Sequence, residues 1–218
     1  GTISGSTVSL NSQQGYIGSE LNFLQVNATN LFVKTSGNAF VNDSAQTVNV
    51  GESFANGLFI YAPNGNLNVR GPITGGYVVL QSGASVNLFN TVTSMVGDGQ
   101  VTIRSAANIT MDNGLSKISS ANSILSSIAG SVTVGSLSAV ETITLSAESQ
   151  NSRVSAQLLN APRIGLFAGS GGVSITSTTA DHVIASTTGD VSIVSTNANL
   201  EVGTFAHLPS AGRNIQIT

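Results

Sequence analysis

Residues 76–89, GYVVLQSGASVNLF, can be laid over residues 99–112, GQVTIRSAANITMD, 23 positions further on. Gly76 meets Gly99, Val78 meets Val101, Leu80 meets Ile103 and Ser82 meets Ser105. Ala84 then meets Ala107, Val86 meets Ile109 and Leu88 meets Met111. Few folds need apolar positions, turn residues and their spacing all to repeat together. A period near 20 residues is the mark of a solenoid, in which each unit buries its apolar side only by stacking on the next.

The same grammar runs along the chain. Apolar-x-apolar units recur as VNV at 48–50, LNV at 67–69, VNL at 86–88, VTI at 101–103, ITM at 109–111, VTV at 132–134 and ITL at 143–145. Each reads as a short strand with alternating inward and outward side chains. Most follow Gly, Asn, Ser or Asp, residues that turn the chain. GGVSITST (171–178) repeats as GDVSIVST (189–196), and its second half aligns Asp181 on Asn199, His182 on Leu200 and Ile184 on Val202. These spacings predict an all-β parallel β-helix with coils of roughly 18–23 residues. A β-sandwich or up-and-down barrel is the alternative; it predicts short strands but no overlay of strands and turns together.

Composition agrees with the solenoid. Charged residues are 8% of the 218, against roughly 25% in an ordinary soluble domain, and Gly numbers 24. Small polar residues occupy outward positions, where strands and turns tolerate them better than helices do. Net charge is −3, and the five Arg (Arg70, Arg104, Arg153, Arg163, Arg213) and two Lys (Lys34, Lys117) are scattered, so phosphate-driven nucleic-acid binding has no support. With no Cys, disulfides, thiolate metal sites and cysteine nucleophiles are excluded. No apolar run reaches the ~18 residues of a membrane span. The opening GTISGS suggests a processed chain or an excised piece of a longer one.

Residues 1–218 read as one solenoid domain, with 1–60 a candidate irregular or capping part. Within it, residues 11–47 are loosely patterned and read as a cap or an insertion. Residues 113–130, NGLSKISSANSILSSIAG, place apolar side chains at 115, 118, 125 and 128, but six Ser disfavour a helix. Irregular coils are expected there.

No catalytic constellation stands out. The Asp (43, 98, 112, 181, 190) and Glu (20, 52, 141, 148, 201) are spread over the whole chain. Asp98 with Asp112, and Asp181 with Asp190, are the candidate pairs for adjacent turns of one coil, but turn chemistry explains them better than acid–base work. His182 and His207 do not make a metal site by themselves. GSGG (169–172) lacks the Lys and helix of a phosphate cradle, and the calcium-binding Gly-Gly-x-Gly-x-Asp repeat is missing. Asn27-Ala-Thr, Asn42-Asp-Ser and Asn108-Ile-Thr match a glycosylation pattern, as chance allows in so Asn- and Thr-rich a chain. Thr178-Thr179 and Thr187-Thr188 are too scattered for an ice-binding ladder. No cofactor is expected.

The unit Gly-x-Val-x-Leu-x-Ser-Gly-Ala-Ser-Val-x-Leu (76–88) and its relatives resemble the repeats of filamentous-haemagglutinin-like exoproteins, bacterial surface adhesins exported by two-partner secretion. The resemblance covers 76–112 and 164–218 best. It implies a β-helical shaft and an extracellular, cell-surface location. That family's secretion domain carries Asn-Pro-Asn-type motifs, whereas YAPNGN (61–66) lacks the first Asn, so a shaft segment or fibre subunit is implied instead.

The expected role is therefore a non-enzymatic structural protein of a surface fibre or adhesin. Its partners are other copies end to end, a continuation of the same shaft, or a cell-surface glycan or protein. A carbohydrate-binding or carbohydrate-cleaving β-helix of tailspike or lyase type is the alternative. The candidate self-assembly interface comprises the aromatic residues Phe23, Phe32, Phe40, Phe54, Phe59 and Tyr61, with Ile215 and Ile217 in the last strand. A cap over the solenoid end is the other reading of the aromatics.

Overall fold

The computed structural model describes residues 1–95, 97–112, 117–197, 199–204 and 215–218. In chain order the strands are β1 (Thr2–Ser12), β2 (Leu24–Thr35), β3 (Asn38–Asp43), β4 (Thr47–Val50), β5 (Ser53–Ala62), β6 (Asn66–Val69) and β7 (Ile73–Ser82). They continue as β8 (Val86–Leu88), β9 (Val92–Ser94), β10 (Gln100–Ser105), β11 (Ile109–Met111), β12 (Lys117–Ser127), β13 (Val132–Ala147) and β14 (Arg153–Asn160). The last are β15 (Arg163–Phe167), β16 (Gly172–Thr178), β17 (His182–Ser186), β18 (Val191–Ser195), β19 (Glu201–Thr204) and β20 (Ile215–Ile217). Every pairing is parallel and joins one coil to the next, building a β-solenoid of about ten turns with no helix among the described residues.

Each coil has three sides. On the first, an inward row runs Val41, Ile60, Leu80, Ile103, Leu125, Leu145, Leu166, Ala185, each paired in register with the next. On the second, Val48, Leu67, Val86, Ile109, Val132, Val154, Val173 and Val191 form a matching row. The third carries Ile73, Val92, Ile118, Leu137 and Leu159. All are buried and belong to one continuous core. Each Val, Leu or Ile among them contributes about 1.5–3 kcal/mol on leaving water.

The overlay of 76–89 on 99–112 is the ladder register itself: Val78 pairs with Val101, Leu80 with Ile103, Val86 with Ile109 and Leu88 with Met111. The second overlay holds for Val173–Val191 and Ile175–Ile193 and then slips. A register shift follows Ile175, and His182 pairs with Glu201, Val183 with Val202. The 18-residue alignment of His182 on Leu200 is thus one residue short.

Residues 117–127 correct the expectation of irregular coils. They form β12, with a register shift between Ser120 and Asn122. Ser120, Ser123 and Ser127 point inward and are buried. Their hydroxyls are partnered: Ser120 Oγ lies 2.7 Å from Ser123 Oγ and donates to the Asn122 carbonyl, and Ser127 Oγ donates to the Ala107 carbonyl. A hydroxyl that satisfies turn backbone can take an inward place where the sequence shows no apolar residue. Residues 113–116, with Leu115, lie outside the described residues. In the 11–47 stretch, β2, β3 and β4 pair in the ladder, while residues 13–23 bridge β1 and β2.

GSGG ends in a backbone requirement. Gly172 has φ of 79°, and a Cβ there would land on the Asp190 carbonyl oxygen. Gly172→Ala is expected to cost about 1–3 kcal/mol, read as a lowered Tm, because side chain and backbone both object.

Candidate functional site

Four of the candidate interface residues meet on the outside of the first side. Phe40 and Phe59 are register neighbours, so their outward rings stack, with centroids 4.6 Å apart and planes 6° from parallel. Phe23 precedes Leu24, which pairs with Val41, and so falls beside Phe40, edge-on at 5.5 Å. Its other face tilts against Tyr61 at 4.8 Å. Such ring pairs contribute about 0.5–1.5 kcal/mol beyond the area they bury.

The remaining four stand elsewhere. The Phe32 ring occupies the space over Gly51. Phe54 lies on the third side between Lys34 and Thr74 in the ladder, 40% exposed. Ile215 and Ile217 pair with Val191 and Ile193 in the last described strand; Ile217 is 45% exposed, and the Ile215 side chain lies outside the description. The eight residues therefore do not make one surface. The sequence gives no sign of the Arg70 guanidinium over the Phe89 ring, 3.9 Å from its centroid. Their spacing of 19 shows the contact only once the coil length is known.

Tyr61 also begins a groove. Its outward row continues through Gln81, Arg104, Ser126 and Ser146 to Phe167, one residue per coil. These side chains line a groove of about 820 Å³ that runs parallel to the solenoid axis, with Glu148 and Ile128 on one bank. Smaller hollows continue it past both aromatic residues, beside Gln25 and Asn42 at one end and beside Ser186 and Thr188 at the other. Ser126 Oγ donates to Glu148 Oε1 at 3.2 Å. The Arg104 guanidinium has no carboxylate or carbonyl partner among the described residues.

On the second side an outward ladder of amides crosses the coils. Asn49 Nδ2 donates to Asn30 Oδ1 at 3.2 Å, Asn68 to Asn49 at 3.0 Å and Asn87 to Asn68 at 2.8 Å; Thr110 Oγ1 then donates to Asn87 Oδ1. The signal was the central Asn of VNV, LNV and VNL.

The carboxylate pairs are not brought together. Asp98 precedes β10 and Asp112 follows β11; Asp181 and Asp190 precede β17 and β18, which lie on different sides. His182 is exposed, with Nδ1 2.9 Å from Glu201 Oε2 of the next coil. His207 lies outside the described residues. Among the described residues no three His, Cys, Asp or Glu cluster to hold a metal, and no helix is long and apolar enough to cross a membrane. Thr178 is buried in the third side and Thr187 Oγ1 donates to the Gly169 carbonyl, so neither builds an outward threonine ladder.

Compared with protein-family models, curated proteins and solved structures, the chain matches none.

Proposed function

We propose that the chain is a non-enzymatic extracellular structural protein, a shaft segment or subunit of a bacterial surface fibre or adhesin. The observation that carries this reading is the stack itself. Matching side chains recur coil after coil on three sides, so added sequence adds length. The resemblance to filamentous-haemagglutinin-like repeats supports the cell-surface setting. The outer edge of β1 also favours continuation. Among the described residues this eleven-residue strand, TISGSTVSLNS, pairs with β2 alone, and it carries neither the charge nor the Pro that blunts an exposed edge. Another coil of the same shaft, or another copy, fits that edge by strand addition.

Electron microscopy of the purified chain at several concentrations and salt levels tests this. About ten coils at ~4.8 Å each give rods of roughly 48 Å, which are expected to join end to end into filaments. Ile217→Lys, placing a charge in the last strand, is expected to leave single rods. Filaments unchanged by that substitution would refute end-to-end addition. Polysaccharide turnover lost on Asp→Asn changes would overturn the non-enzymatic assignment.

A further inference from the structure

We infer that the groove between Tyr61 and Phe167 binds a linear acidic polysaccharide lying parallel to the solenoid axis. The site adds to the fibre reading without depending on it, since a single rod would carry the same groove. Three observations select the ligand. First, the groove is long and straight: five coil steps separate Tyr61 from Phe167, about 24 Å at ~4.8 Å per coil. An extended polymer matches that shape; a compact metabolite does not.

Second, the floor offers side chains only. The strands beneath it, β5, β7, β10, β12, β13 and β15, are paired on both edges, so no backbone edge is free for an extended peptide to pair with. The row along its floor carries amide and hydroxyl, Gln81, Ser126 and Ser146, with an aromatic residue toward either end, while Pro63, Ile124 and Ile128 add apolar surface beside it. Sugars present this chemistry in return: hydroxyls at their edges and an apolar C–H face that packs on an aromatic ring. Third, Arg104 stands in the middle row with its guanidinium unpaired among the described residues, while Glu148, two coils on, is engaged by Ser126. A guanidinium binds a carboxylate through two parallel hydrogen bonds, so an acidic sugar fits that position.

The test is calorimetric titration with alginate oligosaccharides of graded length, with dextran of matched length as the neutral arm and poly-glutamate as the peptide arm. Affinity for alginate is expected to rise with length until the oligosaccharide spans the groove and then level off. Arg104→Gln is expected to weaken binding about tenfold, and Tyr61→Ala and Phe167→Ala to shorten the length at which affinity levels off. Thermal melting checks that each variant is folded; Arg104 and Phe167 are exposed, so their variants are expected to melt as the parent does. Dextran binding as tightly as alginate would overturn the assignment of an acidic ligand. Poly-glutamate binding as tightly would reduce the groove to a site of bare charge attraction. Absence of alginate binding, or binding indifferent to Arg104→Gln and Phe167→Ala, would overturn the site.

Discussion

Ile103→Asp is expected to unfold the coils around β10 and so to split the single unfolding transition of the chain. Ile103 is fully buried, with Leu80 of one coil and Leu125 of the next as its register neighbours. A carboxylate there would sit in an apolar column with no donor, at a penalty of several kcal/mol. That is comparable with the roughly 5–15 kcal/mol by which a folded domain exceeds its unfolded state. A solenoid feels the damage locally, because each coil touches only its neighbours. The coils before β10 and after β12 are expected to outlast it, so limited proteolysis should cut first near residues 100–127. Ile103→Val, at about 0.5–1.5 kcal/mol, should keep the fold. Acidification should partly rescue the Asp variant. Burial raises the carboxyl pKa in the folded state, so the penalty is full above the folded value and fades as pH falls toward the unfolded value of about 4. A parent-like urea transition for Ile103→Asp at pH 7 would contradict the burial of this row.

The repeat made most of this architecture readable, and its failures have physical reasons. Gly76–Phe89 lies on Gly99–Asp112 because ladder pairing forces the inward residues of successive coils to the same depth. The pattern weakens wherever corners change length. The one-residue slip at His182 follows the irregular pairing after Ile175, and no local residue signals it. It vanishes where inward positions hold Ser: in β12 the alternation is broken once, at Ser120 and Ala121, and a buried hydroxyl bonded to backbone looks in sequence like a surface residue.

Surface features were harder to read, for the opposite reason. Core rows repeat their chemistry, while outward rows need only tolerate solvent. The groove row reads Tyr61, Gln81, Arg104, Ser126, Ser146, Phe167, six positions at steps of 20, 23, 22, 20 and 21 residues, so no fixed period finds it. The aromatic group was visible as a concentration of rings in the first third of the chain. Its division was not: Phe23, Phe40, Phe59 and Tyr61 converge because they project from one side, while Phe32 and Phe54 project from others. The Asn ladder falls between these cases, since it is an outward row that repeats because each amide bonds the next one along.

Asp43→Ala is expected to destabilise the chain by about 2–4 kcal/mol, although Asp43 is acidic and lies in a mostly apolar interior. Its side chain is fully buried in β3, where Val26 is its register neighbour. Oδ1 accepts hydrogen bonds from two backbone amides, those of Ala28 and Ala45, each at 3.1 Å. These amides lie on successive coils, so one carboxylate oxygen ties β2 to the turn that leaves β3. Alanine would strand both N–H groups inside the solenoid, at about 1–3 kcal/mol apiece. Part of that loss is returned, because Oδ2 has no partner among the described residues and its burial is already a penalty. Asp43→Asn separates the two effects. Its amide oxygen keeps the bonds to Ala28 and Ala45 and no charge remains, so most of the stability should survive. Urea unfolding of the parent and both variants measures the difference. The expected order is parent close to Asp43→Asn, with Asp43→Ala well below; equal losses in the two variants would mean that the charge, and not the two amide bonds, is what the interior uses.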